Sequence, residues 1–274
     1  AMECAEKGLL TPSDAGGVPL RFGNGEAVVE LVELIARRRG LGALLAEGVM
    51  RAATAIGEGA QELAMHVRGQ EIPMHEPRLK NALGLGYAVS PTGADHCHNL
   101  HDTSYTKDGS ALRDLKPFGV LRPVPAHDLG PSKVRMFRYM TNWRHFGNCA
   151  LLCLFLPWRT EQVVEIARAV TGWNTSLMEL WKVGERAHVL ARLFNLREGL
   201  GEQAERLPAR FFEPFSSGPL EGKALDPADL DAARKLFYAM SGWDERGVPT
   251  LACLADLGLE WAAEELPEAR AAAG

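Results

Sequence analysis

The sequence predicts an all-α protein, and three observations support this prediction. Apolar residues recur at helical spacing over long stretches, whereas convincing two-residue alternation is scarce. Signals that start and stop helices flank several of these stretches. The only segments that resemble short extended pieces are 65–68 and 70–72, and two prolines block a helix directly after them.

The first two helices are predicted at 26–39 and 41–56. Asn24 can cap the first, the basic residues of its last turn suit a helix C-terminus, and Gly40 follows its end. The second repeats the same apolar spacing. A change in sequence texture near 57–65 then predicts a boundary. We therefore expect two helical domains, 1–64 and 65–274.

Four further helical segments are predicted in the second domain. Thr160 is expected to cap a helix that runs to residue 170, and Thr175 a long helix that runs to residue 197. Asp226-Pro227 gives the strongest start signal, a cap followed by proline at the first helical position, for a helix to residue 240. Segment 251–265 holds one or two short helices. Segments 90–125 and 207–225 are predicted to be loops. They are long for simple connections, which suggests that they have a function or wrap around a partner.

The composition of the 274 residues excludes some classes of function. The net charge is −5, and no basic stripe with interleaved aromatic residues suggests nucleic-acid binding. No apolar run reaches the about 20 residues that a membrane span needs. The five cysteines are scattered and odd in number, which argues against a disulfide scaffold and favours a cytoplasmic location.

The densest cluster of reactive side chains lies between residues 91 and 105. It contains Asp95, His96, Cys97, His98 and His101, whose side chains are ligands for zinc or iron and can transfer protons. Three interpretations stay open at this point. The side chains could simply hydrogen-bond a long loop, supply a catalytic histidine, or hold the metal of a mononuclear hydrolase. The histidines at 66, 75, 127, 145 and 188 are isolated in the sequence and are interpreted as structural.

A second candidate is the apolar stretch GNCALLCLFLPW, residues 147–158. On a helix, Cys149 and Cys153 would share one face, and free cysteines in an apolar run are usually buried small side chains. An iron–sulfur cube normally takes four thiolates, and the sequence contains no CxxC motif. Spacing alone therefore favours a buried helix with two unreactive thiols.

Six stretches together resemble the aldehyde ferredoxin oxidoreductase family of tungsten or molybdenum pterin enzymes. They are MECAEKGLLTPSDAGGVPLRFGN, GLGALLAEGVMRAA, HVRGQEIPMHEPR, GLGYAVSPTGADH, GERAHVLARLFNLREG and GWDERGVPT. Their order and spacing match only the C-terminal half of such proteins. The resemblance implies the helical second and third domains of that family, in agreement with the periodicity.

The family motifs that this sequence lacks are equally informative. Family members carry an N-terminal β-rich domain around a bis-pterin, a CxxCxxxC cluster motif, an acidic active-site stretch and a DxxGLD pterin motif. None of these occurs here. We therefore expect the chain alone to bind no cofactor and to be inactive. An alternative is a split subunit that completes its site with a separate N-terminal polypeptide.

Two motifs carry over by resemblance. The DxxGLC motif matches residues 148–153, where Cys153 takes the place of the fourth ligand to a 4Fe–4S cluster. Leu152 keeps the motif's leucine, whereas Asn148 replaces its pterin-contacting aspartate and Leu151 its glycine. The histidine motif ATSxRGAxH matches residues 88–96, so that His96 is the candidate catalytic residue that moves a proton beside the metal.

The resemblance also implies the activity of the full-length parent. It would oxidise a small aldehyde to a carboxylate at a tungsten or molybdenum bis-pterin and pass electrons through one 4Fe–4S cluster to ferredoxin. The protein's share of that work is to place the cofactor and substrate. Apolar surface left where the missing domain docks would favour self-association, for example as a homodimer.

Overall fold

Helices dominate the residues that the computed structural model describes, which are 1–57 and 59–266. The α-helices are α1 Met2–Glu6, α2 Gly25–Arg37, α3 Leu41–Leu45, α4 Val49–Ile56, α5 Ala60–Leu63, α6 Asn81–Val89, α7 Ser110–Leu115, α8 Pro131–Cys149, α9 Thr160–Thr171, α10 Leu177–Arg197, α11 Pro227–Met240 and α12 Leu251–Leu257. Short 3-10 helices lie at Asp102–Tyr105, Lys116–Phe118, Glu202–Ala204, Ala209–Phe212 and Glu260–Glu265. The prediction of an all-α fold is confirmed.

The segments predicted to be extended form a single two-stranded hairpin. Strand β1, His66–Val67, pairs antiparallel with β2, Gln70–Glu71. His66 lies opposite Glu71 in this register. Within the described ranges, no helix is long and apolar enough to cross a lipid bilayer.

The N-terminal helices follow the sequence signals, with one break. Asn24 caps α2 as predicted, since its Oδ1 accepts a hydrogen bond from Ala27 N at 3.3 Å. The single helix predicted at 41–56 is instead two, because Gly48 between α3 and α4 has a φ of +87° and interrupts the helical backbone. An apolar cluster of these residues includes Leu20, Leu31 and Leu41.

Three of the predicted N-cap residues, those of the later helices, can be compared with the structure. Asp226 caps α11 as predicted and accepts from Ala228 N at 2.7 Å. The other two predictions are wrong by one residue. Ser176, not Thr175, caps α10 and exchanges hydrogen bonds with Glu179 in a capping box. Thr160 is already inside α9 and donates its hydroxyl to a carbonyl oxygen at 2.9 Å instead.

The main core is built around α6, α8 and α10. Eight of the nine residues of α6 are buried. Helices α8 and α10 approach very closely at Gly184, where a Cβ atom would lie 1.9 Å from the carbonyl oxygen of Asn142. Trp181 on α10 also donates its indole N–H to Tyr139 O on α8 at 3.1 Å. This packing places the C-terminal end of α8, and the loop after it, beside the loop that follows α6.

The division into domains 1–64 and 65–274 stays a prediction. The buried apolar residues fall into separate clusters that are compatible with it. One cluster draws its fully buried members from residues 4–64, and the largest draws them from residues 67–262. Segment 90–125, expected to be a loop, contains α7 and two of the 3-10 helices.

Candidate functional site

The two candidate segments of the sequence meet at one small cavity. The cavity has a volume of about 100 Å³ and is called here the site cavity. Its lining includes Cys97 from the histidine-rich loop and Asn148, Leu152 and Cys153 from the segment after α8. His96 adjoins it, with its Nε2 3.9 Å from the sulfur of Cys97. Residues about fifty positions apart in the chain are thereby brought together.

The segment 147–158 is not a buried helix, so that interpretation was wrong. Helix α8 ends at Cys149, and both Cys149 and Cys153 are exposed. Leu151 and Phe155 are 93% and 92% exposed, respectively. The apolar run is therefore a surface loop, and it places Cys153 at the surface, where it lines the site cavity. Cys149 does not line the site cavity.

Leu151 explains the shape of this loop. Its φ is +54°, in the left-handed region that favours glycine. This is the position where the DxxGLC motif has glycine. Two backbone hydrogen bonds close the turn, from Leu151 N to Asn148 O at 3.1 Å and from Leu152 N to Gly147 O at 2.9 Å. Leu151 thus adopts a backbone conformation that suits the motif's glycine.

The histidine-rich loop is held by Asp95 and His98. Asp95 Oδ1 accepts from the backbone N–H groups of Cys97 and His98 at 2.7 and 3.1 Å. His98 Nδ1 lies 3.1 Å from the same carboxylate, and its Nε2 lies 2.9 Å from Ser90 Oγ. Since the carboxylate can only accept, Nδ1 carries the proton and Nε2 accepts from the hydroxyl. Burial lowers the pKa of His98, which is therefore a neutral, structural residue.

His96 is part of a group of three imidazoles. Its ring centroid lies 4.9 Å from that of His75 and 6.0 Å from that of His101, and the last two are 4.7 Å apart. His101 Nε2 donates to His96 O at 2.9 Å, and burial lowers the pKa of His101 to about 4. His75, isolated in the sequence, is close to the site in space, a proximity that sequence spacing could not reveal. Burial, with Lys80 nearby, also lowers its pKa.

A second histidine row runs from the loop into the core. The ring centroids of His98 and His145 are 4.7 Å apart in a tilted arrangement, and the rings of His145 and His188 stack at 4.6 Å. Burial lowers the pKa of His145 to about 3 and that of His188 well below its usual value. His188 Nδ1 lies 3.0 Å from Asn142 Oδ1. The neutral rings of His145 and His188 are packed as structural residues, as the sequence suggested.

The cysteine and histidine side chains of the described residues do not form a complete metal site. Among residues 1–57 and 59–266, no three His, Cys, Asp or Glu side chains are arranged to hold a metal ion. The hydrolase interpretation of the cluster from Asp95 to His101 therefore lacks a ligand set among these residues. An exposed thiol at Cys153 does fit one corner of an iron–sulfur cube, whose remaining thiolates would come from elsewhere.

The chain is similar to known proteins over most of its length. A family model described as aldehyde ferredoxin oxidoreductase, domains 2 & 3, matches residues 1–259. A tungsten-containing aldehyde ferredoxin oxidoreductase of Pyrococcus horikoshii is 33% identical over 95% of this chain and 41% of its own length. A similar enzyme of Thermococcus kodakarensis is 34% identical over 90% of this chain and 39% of its own length.

One further relative and one solved structure are also similar to this chain. A Pyrococcus furiosus protein named as the WOR-like subunit of an aliphatic sulfonate oxidoreductase is 30% identical over 97% of this chain and 40% of its own length. A solved structure of the active-site complex BamBC of benzoyl coenzyme A reductase shares the fold, with a TM-score of 0.69 and 23% identity. That match covers 96% of this chain and 43% of the other.

All of these matches cover nearly the whole of this chain, but the chain spans only about 40% of the length of the curated relatives. The family model that matches this chain describes the second and third domains of the family. The chain belongs to the aldehyde ferredoxin oxidoreductase family and corresponds to the C-terminal half of its members.

Proposed function

We propose that this chain supplies the C-terminal part of an active site that oxidises a small aldehyde to a carboxylic acid. The observation that carries the proposal is the site cavity, where the loop of the family's histidine motif meets the segment of its cluster motif. The sequence match to tungsten-containing aldehyde oxidoreductases supplies the reaction class. A bound metal–pterin would supply the oxygen and two-electron chemistry.

Each of four residues has a proposed role. Cys153 is one thiolate ligand of a 4Fe–4S cluster that passes electrons to ferredoxin, which suits its exposed position. His96 is the catalytic residue that accepts or donates a proton at the substrate oxygen. Asn148 and Leu152 line the site cavity and contact the pterin. As a neutral amide, Asn148 offers a hydrogen bond without the charge assistance of the family's aspartate.

A partner carrying the N-terminal motifs is part of the proposal. Exposed Leu151 and Phe155 flank Cys153, and large apolar side chains at a site rim commonly mark a covered surface. We propose that the N-terminal pterin-binding domain or subunit covers them. One cysteine cannot hold a cube, so the chain alone is proposed to be inactive and free of cofactor. Uncovered, these side chains would favour self-association into a homodimer.

A second candidate is a split-subunit module, in which the N-terminal motifs reside on a separate polypeptide. The observation that favours it is the relative named as a subunit. Both candidates assign the same roles to Cys153 and His96, and they differ only in whether one chain or two make the site. Mass spectrometry of the native complex, isolated with its partner, distinguishes them.

The test is reconstitution of the chain with the polypeptide that carries the missing motifs, in the presence of iron and sulfide. The complex should gain broad absorbance near ~400 nm from thiolate-bound iron and reduce a viologen dye with an aldehyde. Cys153→Ser should remove that absorbance, and His96→Gln should keep it but abolish turnover. Cys149→Ser is the matched control and should retain both.

Two results would contradict the proposal. One is absorbance and dye reduction by this chain without its partner. The other is loss of the cluster in Cys149→Ser but not in Cys153→Ser. Metal analysis of the active complex would identify the bound metal as tungsten or molybdenum. The cytoplasmic location also stays a prediction.

A further inference from the structure

Arg144 lies on α8, one turn before Asn148, at the junction of two cavities. It lines the site cavity and also a larger cavity of about 770 Å³. Trp143 and Trp158 line both as well. Residues of segment 110–117 and of the start of α9 also line the larger cavity. The arginine is therefore the cationic side chain that the two spaces share.

Within the part of the chain that the structure describes, Arg144 has no hydrogen-bond acceptor and no ion-pair partner. Its Nε is sealed from solvent without an acceptor. Arg78 and Arg138, by contrast, are paired with carboxylates: Arg78 bonds Glu76 at 2.9 Å, and Arg138 bonds Glu185. Half-buried Arg68 has no carboxylate partner, but it donates to the carbonyl oxygens of Ala88 and Ser90. Removing a guanidinium from water without an anion is unfavourable, so a buried arginine is normally paired.

The surroundings of Arg144 are positively charged. The larger cavity is lined by four cationic side chains and two carboxylates, namely Arg113, Lys116, Arg144, Arg159, Asp114 and Glu161. The lining thus carries a net charge of about +2 by this count of four against two. Burial lowers the pKa of Arg144, and nearby Tyr105, Cys97 and Asp114 oppose that shift. None of these three neighbours bonds it.

A guanidinium presents a planar fork of donors that matches the two oxygens of a carboxylate or phosphate. We propose that Arg144 binds an oxyanion at the junction of the site cavity and the larger cavity. The ligand is a phosphate group or a carboxylate, and these sources share the same two-oxygen chemistry. The inference rests on the contacts of Arg144 itself and stands whether or not the aldehyde-oxidising function holds.

The experiment uses the fluorescence of Trp143 and Trp158, which line both cavities with Arg144. The purified chain is titrated separately with inorganic phosphate, pyrophosphate and propionate at constant ionic strength, with chloride as the matched anion. At least one oxyanion should give a saturable change that chloride does not give. Saturation by phosphate or pyrophosphate alone identifies a phosphate ligand, and saturation by propionate alone identifies a carboxylate.

Variants assign the binding to Arg144. Arg144→Gln should weaken the saturable binding by about tenfold or more, since a charge-assisted bidentate contact is lost. Arg144→Lys should keep the charge and weaken binding less, and circular dichroism checks that each variant folds. Arg113→Gln, which removes a cation that lines only the larger cavity, should change the affinity by less than about threefold. The proposal is overturned by saturable binding unchanged in Arg144→Gln, by equal loss in Arg113→Gln, or by the absence of saturable binding to any of the three oxyanions.

Discussion

Lys133 and Asp102 form a completely buried ion pair, with Lys133 Nζ 2.6 Å from Asp102 Oδ1. The carboxylate also accepts from the backbone N–H groups of Ala82 and Leu83 at 3.3 and 3.1 Å. It therefore joins the first turn of α8 to the first turn of α6 and holds the histidine-rich loop between them. Asp102, which stands in the reactive-looking cluster of the sequence, is a structural residue.

Removing this carboxylate should be strongly destabilising. Asp102→Ala leaves the Lys133 ammonium buried without a partner, and breaking such a pair typically costs about 3–5 kcal/mol in the free energy of unfolding. Urea unfolding at neutral pH measures the loss. The exposed Asp108 offers a matched control, since Asp108→Ala should change the stability by less than about 0.5 kcal/mol. Equal effects of the two substitutions would contradict the structural role of Asp102.

Leu151 should be strained in its turn. A side chain at a φ of +54° costs about 1–2 kcal/mol relative to glycine, and Leu151 is too exposed to regain this by packing. We expect Leu151→Gly to be more stable than Leu151→Ala by about 1 kcal/mol, because alanine keeps the Cβ but removes the exposed side chain. Thermal unfolding of the two variants measures the difference.

The neighbouring Ala150 provides the control for this comparison. Its φ is −87°, and it is also exposed. Ala150→Gly should therefore lower the stability by roughly 0.5–1 kcal/mol, because glycine gains only unfolded-state freedom there. If glycine were unfavourable at both positions, the left-handed turn at Leu151 would not be the source of strain.

Helices with a clear polar face were predictable from the sequence, and helices without one were not. Helix α2 exposes one side, and its apolar stripe and its N-terminal cap predicted the helix from the sequence. Helix α6 is buried all round and is apolar at nearly every position, so it has no period to detect. Helix α8 buries Lys133, Thr141, Asn142 and His145 with its apolar residues, which hides its core-facing stripe.

The candidate site, too, could be predicted from the sequence only in part. The resemblance to the family's motifs selected His96 and Cys153 as candidates, but those motifs lie far apart in the chain. It could not place Cys97 in the cavity with Cys153, nor His75 beside His96, because these proximities depend on how α8 packs against α6 and α10. Spacing alone also predicted that the exposed run after α8 was buried, because its apolar composition resembles that of a core.

The thiols should react in two classes. Cys97, Cys149 and Cys153 are exposed, whereas Cys4 is buried and Cys253 is half-buried with its thiol donating to Ser241 O at 3.4 Å. Burial raises the pKa of Cys253 to about 11, which keeps the thiolate scarce. An aromatic disulfide reagent at pH ~8 should therefore titrate three thiols in the native chain.

Denaturant should release the remaining two thiols, and a Cys153→Ser variant should lower the native count by one. Burial also raises the pKa of Cys97, so this thiol should be the slowest of the exposed three. Rapid reaction of all five thiols without denaturant would contradict the packing of Cys4 and Cys253.

The buried histidine row should make the protein sensitive to acid. His145 faces His98 and His188 in the stack, with Asp95 nearby, and burial lowers its pKa in the folded chain to about 3. An unfolded histidine takes up a proton near pH ~6.5, which the folded ring refuses. The stability from His145 is therefore complete above that pH and falls as the pH drops from about 6.5 towards 3, by about 1.4 kcal/mol per pH unit.

Replacing His145 with phenylalanine should remove this contribution and leave the stack in place. The buried Nε2 of His145 has no hydrogen-bond partner among the described residues, so the substitution breaks no bond at that atom. Urea unfolding between pH ~7 and ~5 should show a shallower fall in stability for His145→Phe than for the unchanged chain. Because His127 is exposed on the surface, His127→Phe should keep the original slope. Identical slopes for His145→Phe and the unchanged chain would mean that His145 is protonated inside the fold, and the neutral stack would be refuted.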